Sequence, residues 1–172
     1  LHLHTEYSLS DGLIRVKPLL KAVAAAEMPA VAVTDMSNLF AMIKFYRAAL
    51  AAGIKPIIGT ELWVKREQDD PARLVLLCQD MTGYRNLTRL ISRAYMEGQH
   101  HGVPALQYSW LEGATAGLIA LSAGREGELG RVLLRGHPDQ AQTLLEDWLR
   151  LFPDRFYLEV QRTGRRGEEE YL

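Results

Sequence analysis

The stretch Leu1-His2-Leu3-His4-Thr5-Glu6-Tyr7-Ser8-Leu9-Ser10-Asp11-Gly12 decides how the rest of the chain is read. His2 and His4 alternate along what reads as a strand over His2–Glu6. Strand side chains repeat every second residue, so both imidazoles fall on one face. The carboxylate of Asp11 follows in the next turn. Such a set is how a metal cluster at the mouth of a sheet or barrel begins. Taken alone, a His-x-His pair is a weak signal, since exposed histidines more often simply sit on edge strands.

Strand and helix signals alternate from there on. Pro18 sits near a helix start, where its missing N–H costs nothing, and Leu19, Leu20, Val23 and Ala24 give that helix an apolar stripe before Pro29 closes it. Ala30–Thr34 is a short apolar strand of the kind covered on both faces. Asn38 is placed to cap a helix with the stripe Leu39, Met42, Ile43, Tyr46 and Leu50, ended by Gly53. Ile57–Val64 and Arg73–Gln79 read as two more strands. The polar connection between them is too short for a helix, which predicts antiparallel neighbours. Asp80 and Thr82 are capping candidates for a helix over Tyr84–Glu97, and Gly98–Leu106 reads as a loop. A strand over Gly117–Ser122, a short helix near Glu126–Leu134, a helix opened by Pro138 and a strand over Phe156–Val160 complete the series. This alternation predicts an α/β fold with a largely parallel sheet or barrel, and an irregular barrel over an open sheet. The ends read as cut: the last residues, Glu168–Leu172, begin a helix that does not finish.

Functional groups in such folds collect at the C-terminal ends of strands. Asp35 follows the second strand, Glu61 lies inside the third and Ser122 ends the fifth. Asp35 is read as a turn or helix cap before a ligand. A carboxylate inside an apolar strand, such as Glu61 or Glu159, must meet a cation, a metal or solvent, because an unpaired charge is costly to bury. Two imidazoles with several carboxylates suit zinc, manganese or iron, and a pair or trio of such ions can activate water against a phosphoryl group. His100 and His101 read as exposed loop residues and His137 as a helix-entry residue.

Composition narrows the classes further. The 172 residues carry 20 basic and 21 acidic side chains, a net charge of −1, which argues against tight sequence-independent DNA binding. The densest basic run, Arg162-Thr163-Gly164-Arg165-Arg166-Gly167, is answered at once by Glu168–Glu170 and reads as a solvated loop. No apolar run approaches the roughly 20 residues of a membrane span. The one cysteine, Cys78, lies in an apolar run, reads as a small buried hydrophobe and fits a reducing, cytoplasmic setting. There is no phosphate-binding Gly-x-x-x-x-Gly-Lys loop, no Gly-x-Ser-x-Gly elbow and no paired-Asp polymerase motif.

At the level of whole segments the chain resembles a known family. The opening dodecapeptide, Ala32–Leu39, Lys44-Phe45-Tyr46, Gly53–Glu61, Thr82–Leu87 and Asp154–Glu159 are similar to the polymerase-and-histidinol-phosphatase (PHP) domain, in the form that opens the alpha subunits of bacterial replicative DNA polymerases. The resemblance implies a distorted seven-stranded β/α barrel, TIM-barrel-like and truncated on its C-terminal side, with residues 1–172 forming a single PHP domain fragment. Active members hold a metal cluster, and His2, His4, Asp11 and Glu61 match its ligand positions. Three positions depart: Met36 and Arg73 stand where active members have His, and Gly124 where they have Cys or His. The resemblance therefore implies a vestigial site with no cofactor expected in the fragment, zinc, manganese or magnesium being the ions such a site takes when it takes one. It implies a parent enzyme that is a magnesium-dependent, DNA-directed DNA polymerase. The partners implied are the remainder of the alpha subunit and its holoenzyme, a proofreading exonuclease subunit, and DNA through the parent, with no membrane. The competing expectation is an active metal-dependent phosphoesterase, a pyrophosphatase or 3′–5′ exonuclease.

Overall fold

The computed structural model describes residues 1–67 and 69–164, so Arg165, Arg166 and the helix expected over 168–172 lie outside the described residues. Five helices, α1 (Val16–Ala25), α2 (Met42–Ala51), α3 (Met81–Glu97), α4 (Glu128–Leu134) and α5 (Pro138–Leu151), surround a sheet. Its strands are β1 (Ala30–Val33), β2 (Lys55–Lys65), β3 (Ala72–Cys78), β4 (Gln99–His100), β5 (Val103–Gln107), β6 (Leu118–Leu121) and β7 (Phe156–Tyr157). The sheet runs β4-β5-β2-β3-β6-β7, with β1 also on β2.

The long strand β2 organises this order. One of its edges serves two parallel partners in turn, β1 along Lys55–Ile58 and β5 along Trp63–Lys65. The other edge pairs antiparallel with β3 from Gly59 to Val64, as the short connection requires. β6 continues antiparallel on β3, and β7 is parallel to β6. β3 is buried on both sides. Leu74 and Leu76 face α3, α4 and α5, whereas Val75 and Leu77 meet Ala32 and Leu121 on the opposite face. Trp148 of α5, stacked on Phe156 with ring planes 6° apart, closes the helical side. Gly83 lets α3 settle onto the turn before β6, since a side chain there would strike the Gly117 carbonyl. Among the described residues β1 and β7 do not pair with each other, and the barrel-like sheet is open between them.

Several expectations are corrected. The segment His2–Glu6 forms no ladder strand. It runs beside β1, with Thr34 N–H donating to Leu3 O at 2.9 Å and Leu3 N–H donating to the Thr34 hydroxyl at 2.8 Å, and then enters a 3₁₀ turn over Glu6–Ser8. The N–H groups of Leu3 and Thr5 are taken by the side chains of Thr34 and Asp35, and that of Glu6 by the Ile14 carbonyl, instead of by a ladder partner. Gly98–Leu106 is no loop: β4 and β5 form a hairpin there whose turn residues, His101 and Gly102, both have positive φ. Asn38 does not cap α2, which begins at Met42. Its amide donates to the carbonyls of Tyr7 and Met36, and its oxygen accepts from Phe40 N–H. The expected strand over Phe156–Val160 shortens to Phe156–Tyr157.

Helix α2 is also turned relative to its apparent stripe. It buries Phe45 and Ala49 beside Ala41, Val31 and Ile54, while Ile43, Tyr46 and Leu50 face outward. The alanines allow close approach of the helix to the sheet, and the large residues are left over.

Asp35 fastens the N-terminal segment. Its carboxylate, 1% exposed, accepts from Thr5 N–H at 2.6 Å, the Thr5 hydroxyl at 2.8 Å and the Ser8 hydroxyl at 2.7 Å. It is a turn-organising group, as the sequence suggests, but it ties a distant segment instead of a local helix. Asp35→Ala strands three buried donors, each worth about 1–3 kcal/mol when left unsatisfied. Urea unfolding should show a loss of at least about 3 kcal/mol, and hydrogen exchange at Thr5 should accelerate more than exchange in β3.

Candidate metal centre

Fastening by Asp35 sets His2 and His4 against the middle of β2. Glu61 stands there, and β-sheet alternation turns its side chain away from Leu62 and the helical core. Glu61 is 1% exposed and is the deepest charge of the site. His4 Nε2 lies 2.9 Å from Glu61 Oε2, and His2 Nε2 lies 3.4 Å from Oε1. One donor atom from each of His2, His4 and Glu61 falls within 4.8 Å of the others.

The second nitrogen of His2 is held from the opposite side. Glu159, just past β7, places Oε1 2.8 Å from His2 Nδ1 and accepts from Gln161 Nε2 at 2.6 Å. The Ser122 hydroxyl accepts from Glu159 N–H at 2.9 Å, so the end of β6 sets the position of this carboxylate. Burial alone would depress the His2 pKa, but hydrogen bonds to Glu159 and Glu61 outweigh it and raise it to about 9. Burial pushes Glu61 up, yet the facing imidazoles of His2 and His4, with the charges of His2 and Arg73, bring it down to about 2. Glu159 is lowered in the same way, its desolvation outweighed by His2.

Arg73 enters from β3. Its Nη1 lies 3.2 Å from Glu61 Oε2, the oxygen that also faces His4, and its Nη2 lies 3.8 Å from Asp11 Oδ2. Trp63 is the directly opposed residue on β2, and the guanidinium carbon sits 4.9 Å from its ring centroid. Arg131 approaches the same ring at 5.9 Å.

Of the four expected ligands, the structure draws His2, His4 and Glu61 together. Asp11 stays on the half-open loop, 42% exposed, and meets Arg73 instead of the imidazoles. Met36 forms a single parallel bridge to Glu61, and its N–H donates to the Ser8 hydroxyl. Gly124 has a φ of +54°, and a side chain there would press on Gln161. Glu159 was legible as a carboxylate in an apolar strand. Trp63 and Gln161 carried no signal, because an exposed-edge reading suits both until the register is known.

The three converging donors suit one divalent ion of borderline softness. His4 Nε2 is buried without a well-aligned hydrogen bond, in keeping with a donor that a metal can claim. The same donors do not make a multinuclear cluster, since Met36, Arg73 and Gly124 add a poor ligand, a fixed cation and no side chain.

The PHP domain family model matches residues 1–163. DNA polymerase III subunit alpha of Pseudomonas aeruginosa is 56% identical over 174 aligned positions, and that of Escherichia coli K12 is 45% identical. Each alignment covers the whole of this chain but 15% of the relative, so the chain spans under a sixth of the length of these proteins. A solved chain from Bifidobacterium adolescentis classed as a metal-dependent phosphoesterase superposes with a TM-score of 0.61 over 98% of this chain and 79% of its own, at 12% identity, a likeness of fold alone. No described helix is long and apolar enough to cross a membrane. A histidine pair fastened against a strand carboxylate, inside a sheet of this order and with a match along nearly its whole length, leaves one assignment: the chain belongs to the PHP domain family.

Proposed function

We propose that this chain is the PHP domain of a bacterial replicative DNA polymerase alpha subunit and acts there as a scaffold whose metal centre has been replaced by an internal charge network. The parent polypeptide carries out DNA-directed DNA synthesis, and residues 1–172 make a single structural domain of it, with the proofreading exonuclease subunit as a docked partner. The near-full-length similarity to the alpha subunits supports the placement. The observation that carries the replacement is the Arg73 guanidinium, 3.2 Å from Glu61. It brings a permanent positive charge to the carboxylate that an ion needs, and unlike an ion it is not lost to a chelator.

A second reading, an active metal-dependent phosphoesterase, draws on the convergence of His2, His4 and Glu61. An ion held by these three supplies Lewis acidity toward a phosphate ester. His2 then needs a neutral imidazole, whereas Glu159 and Glu61 favour the protonated form.

Metal analysis and phosphate-ester hydrolysis of the full alpha subunit separate the readings. The scaffold reading expects substoichiometric metal after dialysis and no hydrolysis that depends on His4. Stoichiometric metal together with hydrolysis abolished by His4→Ala overturns it. Restoring a donor with Arg73→His should raise zinc affinity at least about tenfold, since one imidazole is gained and one competing cation removed.

The same network sets a pH window for stability. The contribution of His2, whose folded pKa is raised, is fully present below about 6.5 and fades as pH rises through about 9. That of Glu61, whose folded pKa is lowered, is present above about 4.5 and fades as pH falls through about 2. Denaturant titrations should therefore peak between these limits, and His2→Gln should flatten the alkaline limb selectively.

A further inference from the structure

Trp63 is the large aromatic of the sheet that the core does not use. Trp148 lies in the hydrophobic cluster on the helical side, and Trp110 packs against it. Trp63 is half-buried and, among the described residues, joins none of the hydrophobic clusters. It follows Glu61 and Leu62 on β2, so strand alternation puts it on the face of Glu61, away from Leu62 and Val64. Its cross-strand neighbour there is Arg73.

Arg73 has few other restraints. Its Nη1 donates to Glu61 Oε2 at 3.2 Å. Its Nη2 reaches Asp11 at 3.8 Å, but Asp11 is 42% exposed, and an ion pair so open to solvent holds a long side chain weakly. Its Nε is buried and has no hydrogen-bond partner among the described residues. What remains is the Trp63 ring, whose centroid lies 4.9 Å from the guanidinium carbon. Guanidinium groups stack readily on aromatic faces. Arg131, the second cation near this ring at 5.9 Å, has a tie of its own, donating to the Pro71 carbonyl at 2.7 Å.

We infer that Trp63 is a positioning residue: its ring holds the Arg73 guanidinium at Glu61 and so sets how strongly this internal cation competes with a divalent ion for the carboxylate. The residue type suits the task. A carboxylate in the same place would hold Arg73 but would also offer an oxygen to the ion. An indole attracts the guanidinium through its π-face and has no lone-pair donor for a metal. An ion is bound only by the fraction of molecules whose Arg73 has left Glu61, and its apparent affinity falls with that fraction. The inference rests on the reading of Arg73 as the replacement for a metal, and adds the group that keeps the replacement in place.

The test weakens the ring's π-face while nearly preserving its shape. Mono-, di- and trifluorotryptophan are incorporated in place of Trp63 in the full alpha subunit, and zinc affinity is read by competition with a chromophoric chelator, the binding lost in His4→Ala being that of this centre. Each fluorine draws electron density from the ring face, so zinc should bind more tightly at every step, by at least about threefold across the series. In an Arg73→Ala background, where zinc affinity is already raised, the same series should be flat. A flat series with Arg73 present, or an equal slope without it, overturns the positioning role. Arg73→Ala that leaves zinc affinity unchanged overturns that role together with the replacement reading. Arg73→Ala that raises zinc affinity beside a flat fluorine series overturns the role of Trp63 alone.

Discussion

The arrangement depends on one buried carboxylate. Asp35 gathers the backbone N–H and hydroxyl of Thr5 and the hydroxyl of Ser8. Without that anchor the N-terminal segment has no ladder to hold it, for its other ties to β1 run through Thr34 alone. Charge-assisted hydrogen bonds of this kind are among the stronger ones in proteins and are directional. They fix the side on which His2 and His4 lie, and so bring two imidazoles to Glu61.

Around Glu61 several positive partners gather. A carboxylate 1% exposed is costly unless compensated, and it meets two imidazoles and a guanidinium. The guanidinium is in turn backed by the face of Trp63. His2 is shared between Glu61 and Glu159, which joins the segment before β1 to the one after β7. Here the side chains themselves bring positive charge to Glu61, and the fold keeps its shape through their mutual attraction.

Much of this is legible in the amino-acid sequence. The antiparallel pairing of β2 and β3 followed from a connection too short to cross over, the cap at Asp80 from its position before α3, and the pairing of Glu61 from the cost of a charge inside an apolar strand. What escaped was what depends on tertiary choice. The first segment looked like a strand because alternation cannot reveal that side chains will take its hydrogen bonds. The β4–β5 hairpin hid behind a His-Gly turn that lacks the usual Asn or Asp. The facing of α2 was misjudged because large apolar residues normally win the interior, and here the close seat against the sheet favoured Ala41 and Ala49. Trp63 gave no sign of its part until its register with Arg73 was known.

The contact between His2 and Glu159 joins residues 157 positions apart. On a ribosome adding about 5–20 residues per second, roughly 8–30 s pass between the synthesis of the first and of the second. Through that interval the His2 imidazole is without its counterpart, and Glu61 can be enclosed only in part. The segment that carries His2, made before the one that carries Glu159, is thus among the last pieces to lock.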